Sequence, residues 1–187
     1  MFKYNPYVEF EYNSYVEFER NEHGHIVLTI IGFNLTGEQE VKRLKDAGFR
    51  VNTIVKSCLL STNYNENHYL VAGQVYKIAL MPTPEIEYNI DRTTYALCQR
   101  GIEEYGYKKP LAGIIPRILE MVSDKYMDKM GFRYIVAPHD TINDSDGVPN
   151  VLSANLGDVG LGINADRGHP DRLWYGLGAF AFLIPAS

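Results

Sequence analysis

Cysteine is scarce in this sequence: Cys58 and Cys98 are the only two among 187 residues. Small secreted domains commonly depend on several disulfides, and this chain has no such framework. Residues 1–4 also lack the apolar core and the small-residue cleavage site of a secretory signal peptide. We therefore expect a cytoplasmic protein with reduced thiols.

Long apolar runs and an excess of positive charge are missing as well. No stretch approaches the roughly 20 apolar residues that a membrane-spanning helix needs. Asp and Glu number 23 against 18 Lys and Arg, which gives a formal net charge of −5. Sequence-independent nucleic-acid binding depends on Lys and Arg that neutralise phosphates. We expect neither a membrane nor a nucleic acid as partner.

The overall composition is that of an ordinary globular protein, with 45% hydrophobic and 22% charged residues. The length suits one domain with a substantial core, whereas two domains would each be small. No stretch resembles a linker. We predict one soluble domain across residues 1–187, with a duplicated strand at residues 4–19 and a long irregular loop at residues 138–172.

The duplication is the clearest pattern in the chain. Residues 4–11 (YNPYVEFE) are followed at once by residues 12–19 (YNSYVEFE), and only Pro6 and Ser14 differ. Side chains alternate between the faces of a strand, and the offset of eight is even, so both copies place the same residue types on the same face. The pattern predicts one amphipathic β surface, with a bulge or bend near Asn13.

This surface has two interpretations. Its polar face could belong to an edge strand that recruits a partner strand, since unpaired edges readily accept one. The alternative is an ordinary strand lengthened by a local duplication. The candidate binding residues on the polar face are Tyr7, Glu9, Tyr15 and Glu17.

The next segments alternate between strand and helix signals. A β-branched run at Ile26–Ile31 predicts a central strand that forms a hairpin with the repeat. Thr36 and Gln39 have the spacing of a helix capping box, and Gly48 would end that helix. We predict two further strands, at residues 49–60 and 69–81, separated by a polar loop.

The second half of the chain predicts two adjacent helices and two strands. Asp91 can cap a helix that ends at Gly106, and an apolar stripe predicts another at residues 116–130, with a cap or kink at Ser123. Strands are predicted at residues 132–137 and 179–184. The expected fold is α+β: a mainly antiparallel sheet with about three helices packed on one face.

A metal-binding or catalytic site is predicted in the loop at residues 138–172, which contains six of the chain's ten aspartates. Carboxylate and imidazole groups in one loop could hold a divalent metal ion. The candidate metal ligands are His139, Asp140, Asp144, Asp146 and His169. Metal-assisted hydrolysis would use a bound water as nucleophile. The candidate catalytic residues are His139, Asp140, His169 and Asp171.

The spacing in this loop matches no defined metal motif. Aligning Gly147 with the glycine of an EF-hand loop puts Ile142 at the first ligand position, so an EF-hand is excluded. Asp, Asn and Gly also favour turns for local reasons. Trp174 and Tyr175, which follow the loop, could line a binding surface or anchor the loop to the core.

Two functions follow from these patterns. The first is a non-catalytic, cytoplasmic module that binds another protein or itself, with no cofactor. The alternative is a small metal-dependent hydrolase centred on residues 138–172. We favour the first because no nucleophile, acid–base pair or cofactor-binding motif has a diagnostic spacing.

Overall fold

The computed structural model of the protein describes residues 17–186. In this range seven strands form one sheet: β1 (Ile26–Ile31), β2 (Val75–Pro82), β3 (Tyr134–Val136), β4 (Ile142–Asn143), β5 (Pro149–Gly157), β6 (Gly160–Arg167) and β7 (Gly178–Leu183). Six α-helices accompany them: α1 (Gly37–Asp46), α2 (Thr53–Leu60), α3 (Thr62–Asn67), α4 (Thr94–Gln99), α5 (Ile114–Met121) and α6 (Asp124–Met130). Arg100–Glu104 forms a π-helical turn after α4. None of these helices has the length and apolarity needed to cross a membrane.

The sheet is mixed but mainly antiparallel. Its hydrogen-bonded path runs β1–β2–β7–β3–β5–β4, and β6 pairs with β5 along the whole strand. Among the described strands, β3 and β7 form the one parallel pair. The predicted α+β class and the mainly antiparallel sheet are therefore confirmed.

Helices lie on both faces of the sheet, so the prediction of about three helices on one face is wrong. Ile78 and Leu80 of β2 belong to a core that includes residues of α1, α2, α3, α5 and α6. Ala79 and Met81, which alternate with them, belong to a second core with Leu97 of α4. Strands covered on both faces are continuously apolar, as the ALM stretch of β2 and the AFAF stretch of β7 are.

Helix capping matches the sequence signals at Thr36 and Ser123, whereas α4 is capped by Thr93 and not by Asp91 as predicted. The Thr36 hydroxyl accepts from the Gln39 amide, and the Gln39 side chain accepts from the Thr36 amide, which completes the capping box of α1. The Ser123 side chain accepts from the Tyr126 amide. The predicted interruption at Ser123 is therefore a helix boundary, and the predicted single helix is two helices, α5 and α6.

Residues 53–60 and 62–67 are helical, contrary to the prediction of a strand at residues 49–60 followed by a polar loop. The Asn52 side chain accepts from the Val55 amide and starts α2. Val55, Cys58 and Leu59 are then buried in the core. Tertiary burial of this face overrides the modest strand preference of its β-branched residues.

The segment at residues 138–172 is not an irregular loop, because it contains β4, β5 and β6. Most of β5 is buried on both faces, so it lacks the polar–apolar alternation that identifies a strand. The sequence of β6, GLGINADR, has few residues of high strand propensity. Pairing with β5 along its whole length stabilises β6 as a strand despite its low strand propensity.

The duplicated strand predicted at residues 4–19 lies almost entirely outside the described residues. Glu17 to Glu19 are described, and they are not assigned to a strand. The assignment of residues 1–187 to one domain stays a prediction.

Candidate functional site

His139 is a structural residue in the described fold. It is buried, its Nδ1–H donates to the Asp140 carbonyl at 2.7 Å, and its Nε2 accepts from the Leu152 amide at 2.9 Å. Burial lowers the pKa of His139 to about 3, which keeps the ring neutral. Both ring nitrogens are used, so metal ligation would require breaking the bond to the Leu152 amide.

The aspartates of this region also have local partners. Asp140 lies at the surface, where its hydrogen bond from Lys109 at 2.8 Å lowers its pKa. Asp144 accepts from the amides of Asp146 and Val148 at 2.9 and 3.0 Å, which organises the turn between β4 and β5. These contacts are the local turn interactions that Asp commonly makes.

His169 and Asp171 are exposed on the segment after β6, where the Asp171 amide donates to His169 Nδ1 at 3.2 Å. Across residues 17–186, no cluster of three or more His, Cys, Asp or Glu side chains is placed to hold a metal ion. Tyr7, Glu9 and Tyr15 lie outside the described residues, and Glu17 is exposed. The metal-dependent hydrolase stays a prediction, and none of these contacts supports it.

Trp174 anchors its segment to the second core. Its ring packs edge-on against Phe180 with 5.4 Å between centroids, and its Nε1 donates to Thr94 Oγ1 at 2.9 Å. The Arg172 guanidinium lies over the same ring at 4.4 Å. Trp174 is buried by these contacts, whereas the neighbouring Tyr175 is exposed.

A loop at residues 86–92, which the sequence analysis did not single out, is closed by one arginine. Arg92 is buried, and its Nε and Nη2 donate to the carbonyls of Ile86 and Glu87 at 2.6 and 3.0 Å. Its Nη1 also donates to the Asn89 side chain. A guanidinium can organise a loop in this way because its donors form a rigid planar fork.

Replacing Arg92 with Met would remove these bonds while keeping most of the side-chain volume. We expect the loop to open and limited proteolysis to cut within residues 86–92 at least about tenfold faster, because local opening governs cleavage. The matched control is Arg133→Met, since Arg133 forms one exposed ion pair with Asp128. Equal cleavage rates for the Arg92→Met variant and the native chain would contradict this role.

Loop 86–92 carries two strongly exposed apolar side chains, Tyr88 at 64% and Ile90 at 75% exposure. The chain that follows it pairs with the segment before β7: the Trp174 amide donates to the Arg92 carbonyl at 3.0 Å, and the Tyr95 amide donates to the Pro170 carbonyl at 2.9 Å. Two more exposed tyrosines lie on these paired segments. We call the four residues the aromatic surface: Tyr88, Ile90, Tyr95 and Tyr175.

A cleft of about 330 Å³ adjoins this loop and is lined by Ile86, Ala96, Gln99, Arg100, Glu103 and Glu104. We call it the acidic cleft. Its one cation, Arg100, is paired with Glu85 at 3.1 Å and lies 3.6 Å from Glu104. Glu103 accepts a hydrogen bond only from the neutral Gln99 among the described residues. The cleft therefore presents net negative charge to solvent.

A partly buried polar network holds Arg100, the arginine that lines the cleft. Glu85 accepts from His25 Nε2 at 2.5 Å and from the Tyr105 hydroxyl at 2.7 Å. His25 Nδ1 shares a hydrogen bond of 2.7 Å with the Tyr107 hydroxyl. Burial raises the pKa of Glu85, but its hydrogen bonds from His25 and Tyr105 outweigh that effect and the pKa is lowered. The ionised Glu85 in turn orients Arg100.

Sequence reasoning missed this site because the contacts that define it are tertiary: Tyr175 and His25 are distant in sequence from residues 86–104, which supply the rest. The local signal was weak: Ile86, Tyr88 and Ile90 alternate with polar residues in the stretch that follows Pro84. Nothing local indicates that Arg92 folds back onto its own loop. Comparisons with protein-family models, with curated proteins and with solved structures find no match to this chain.

Proposed function

We propose that this protein is a non-catalytic cytoplasmic module that binds a partner protein through the aromatic surface and the acidic cleft. The observation that carries the proposal is the closure of loop 86–92 by Arg92, because it holds Tyr88 and Ile90 exposed in a fixed position. Fixing a loop before binding reduces the entropy lost on association. Exposed aromatic residues are enriched among the side chains that contribute most to interfaces.

Charge indicates the chemistry of the partner. Glu87 and Asp91 of the loop are exposed, as are Glu103 and Glu104 of the cleft. Two nearby arginines do not neutralise these carboxylates, since Arg92 is buried within the loop and Arg100 is paired with Glu85. Complementary charge favours a partner segment that carries Lys or Arg together with apolar side chains.

The proposal is tested with short synthetic peptides of alternating Lys and Leu, titrated into the full chain by calorimetry. We expect the Lys/Leu peptide to bind and the double variant Tyr88→Ser, Ile90→Ser to weaken binding at least about tenfold, or about 1.4 kcal/mol. The double variant Glu103→Gln, Glu104→Gln should also weaken binding and reduce its salt dependence. The control is Val159→Ser, an equally exposed residue in the turn between β5 and β6.

Peptides of Glu/Leu and Lys/Ser composition separate the two contributions. Neither should match the Lys/Leu peptide, because the first carries the wrong charge and the second lacks the apolar side chains. Equal binding of all three peptides, or unchanged binding by the Tyr88→Ser, Ile90→Ser variant, would contradict the proposal. Self-association through the aromatic surface would appear instead as a dimer that the same double variant dissociates.

A further inference from the structure

The π-helical turn after α4 forms one wall of the acidic cleft and packs tightly against the sheet. Gly101 is buried in this turn, and an added Cβ there would lie 2.5 Å from two ring carbons of Phe182 in β7. Single π-helical turns within helices occur frequently at functional sites. The backbone of the turn is therefore held close to β7, while Glu103 and Glu104 on its outer side are exposed to solvent.

Arg100, the first residue of this turn, can reach the two carboxylates that follow it. Glu103 and Glu104 lie three and four positions further along the chain, the spacings at which helical side chains meet. Arg100 Nε is already only 3.6 Å from the Glu104 carboxylate, which is 57% exposed. No other cation lines the cleft among residues 17–186. Full pairing of Arg100 with these carboxylates would neutralise much of the charge that a partner can bind.

Glu85 holds the Arg100 side chain away from that pairing. Arg100 Nε donates to Glu85 Oε2 at 3.1 Å and to the Tyr105 hydroxyl at 3.4 Å. The Tyr105 hydroxyl donates to the same Glu85 oxygen at 2.7 Å. Hydrogen bonds between charged groups are stronger than neutral ones. Arg100 Nε is also closer to Glu85 than to Glu104, so Glu85 provides its principal contact.

The orientation of Glu85 is fixed by residues outside the cleft. Its second oxygen, Oε1, accepts from His25 Nε2 at 2.5 Å. His25 is buried, and its Nδ1 shares a hydrogen bond with the Tyr107 hydroxyl, which also accepts from Asn21 Nδ2 at 2.5 Å. Supporting hydrogen bonds of this kind lock the rotamer of the side chain that they contact. Because both of its oxygens are bound, Glu85 presents Oε2 to Arg100 in one position.

We propose that Glu85 is a positioning residue that keeps Arg100 off Glu103 and Glu104 and so leaves both carboxylates to bind a Lys or Arg side chain of the partner. The inference rests on the proposed function, because that function supplies the partner's cation. Glu85 does not line the cleft, so it acts through Arg100 and not by touching the partner. In its absence Arg100 turns to Glu104 and competes with the partner for the same negative charge.

A double-mutant cycle in the full chain tests this role, with the Lys/Leu peptide titrated by calorimetry. Glu85→Gln should weaken binding at least about fivefold when Arg100 is present. In the Arg100→Gln background the same change should cost less than about twofold, because no arginine is then released. A direct effect of the Glu85 charge on the peptide would be equal in the two backgrounds, and that result would overturn the role.

Two further variants control for lost charge and for lost folding. Glu87→Gln also removes one negative charge beside the cleft, but Glu87 is exposed and makes no ion pair with Arg100, so its effect should be the same in both backgrounds. Tyr105→Phe keeps the Glu85 carboxylate and removes one of the two hydrogen bonds from Arg100 Nε. It should weaken binding less than Glu85→Gln does, and again only when Arg100 is present.

NMR of the peptide-free protein separates a failure of this role from a failure of the proposed function. The side chain of Arg100 should show NOE contacts to the Tyr105 ring in the native chain, and Glu85→Gln should abolish them while the other amide signals keep their positions. Contacts that persist in the Glu85→Gln variant would overturn the role whether or not the peptide binds. If the contacts are lost but the native chain does not bind the peptide, the proposed function fails and with it the use given to the two carboxylates.

Discussion

Replacing Arg117 with Met is expected to destabilise the protein by about 3–5 kcal/mol at pH 8, because it leaves the Glu40 carboxylate buried without its partner. The two side chains form an ion pair between α5 and α1, and their exposed fractions are only 4% and 6%. Arg117 also lies 2.8 Å from Glu120 and 5.2 Å from the ring of Phe33. Urea unfolding at several pH values measures the loss.

The loss should depend on pH in a defined direction. Burial raises the pKa of Glu40 from 4.5 to about 7, although Arg117 opposes the shift. A carboxyl whose pKa is higher in the folded state takes up a proton on folding, so its contribution to stability is full below pH 4.5 and is lost as the pH rises to about 7. Without Arg117 the folded pKa rises further, so the deficit of the Arg117→Met variant should be smallest near pH 4.5 and largest at pH 8.

The matched control is Arg43→Met. Arg43 contacts the same Glu120 carboxylate at 3.0 Å and the same Phe33 ring at 5.0 Å, but its side chain is 43% exposed. Exposed ion pairs contribute about 0–1 kcal/mol, so this variant should lose no more than that. Equal losses for the Arg43→Met and Arg117→Met variants, or a loss for the latter that does not vary with pH, would contradict the role given to burial.

Replacing Gly37 with Ala is expected to lower the free energy of unfolding by about 3 kcal/mol, the upper end of the usual cost of overpacking. An added Cβ would lie 1.6 Å from the Leu59 carbonyl oxygen and 2.4 Å from its carbon. Both atoms belong to the backbone of α2, so α1 and α2 would have to move apart. Helix propensity alone predicts the opposite sign, because Ala stabilises a helix relative to Gly by about 1 kcal/mol.

Gly162→Ala is the control for this variant. No heavy atom lies within 4 Å of an added Cβ at Gly162, and its backbone is not in the left-handed region. The free energy of unfolding from chemical denaturation should change by less than about 0.5 kcal/mol, because the added methyl group enters open space beside this half-buried strand position. If the Gly37→Ala variant is as stable as the Gly162→Ala variant, the close approach of α1 and α2 at Gly37 is wrong.

Several elements were predictable because their signals are local. The capping box at Thr36 and the serine cap at Ser123 depend on hydrogen bonds within three residues of the cap. The apolar runs of β1 and β7 are short, and polar or turn residues bound them. Such signals need no knowledge of the rest of the chain.

The candidate site was not predictable in the same way. The polar residues that looked like metal ligands, His139 and Asp144 among them, satisfy backbone amides in their own neighbourhood. The acidic cleft is lined by residues 86–104, but the network that orients its arginine is not local, since His25 reaches Glu85 across 60 residues of sequence. A pattern of residue types does not show whether a polar side chain will bond to a backbone amide or join a network between distant segments.

By itself, the sequence determined the α+β class, the mainly antiparallel sheet and the helix caps at Thr36 and Ser123, because each depends on short-range hydrogen bonds or on apolar periodicity. Tertiary structure alone decided that α2 is a helix, that β5 and β6 form a long hairpin and that helices cover both faces of the sheet. These features depend on which surfaces become buried against each other, and burial is a property of contacts between residues distant in the chain.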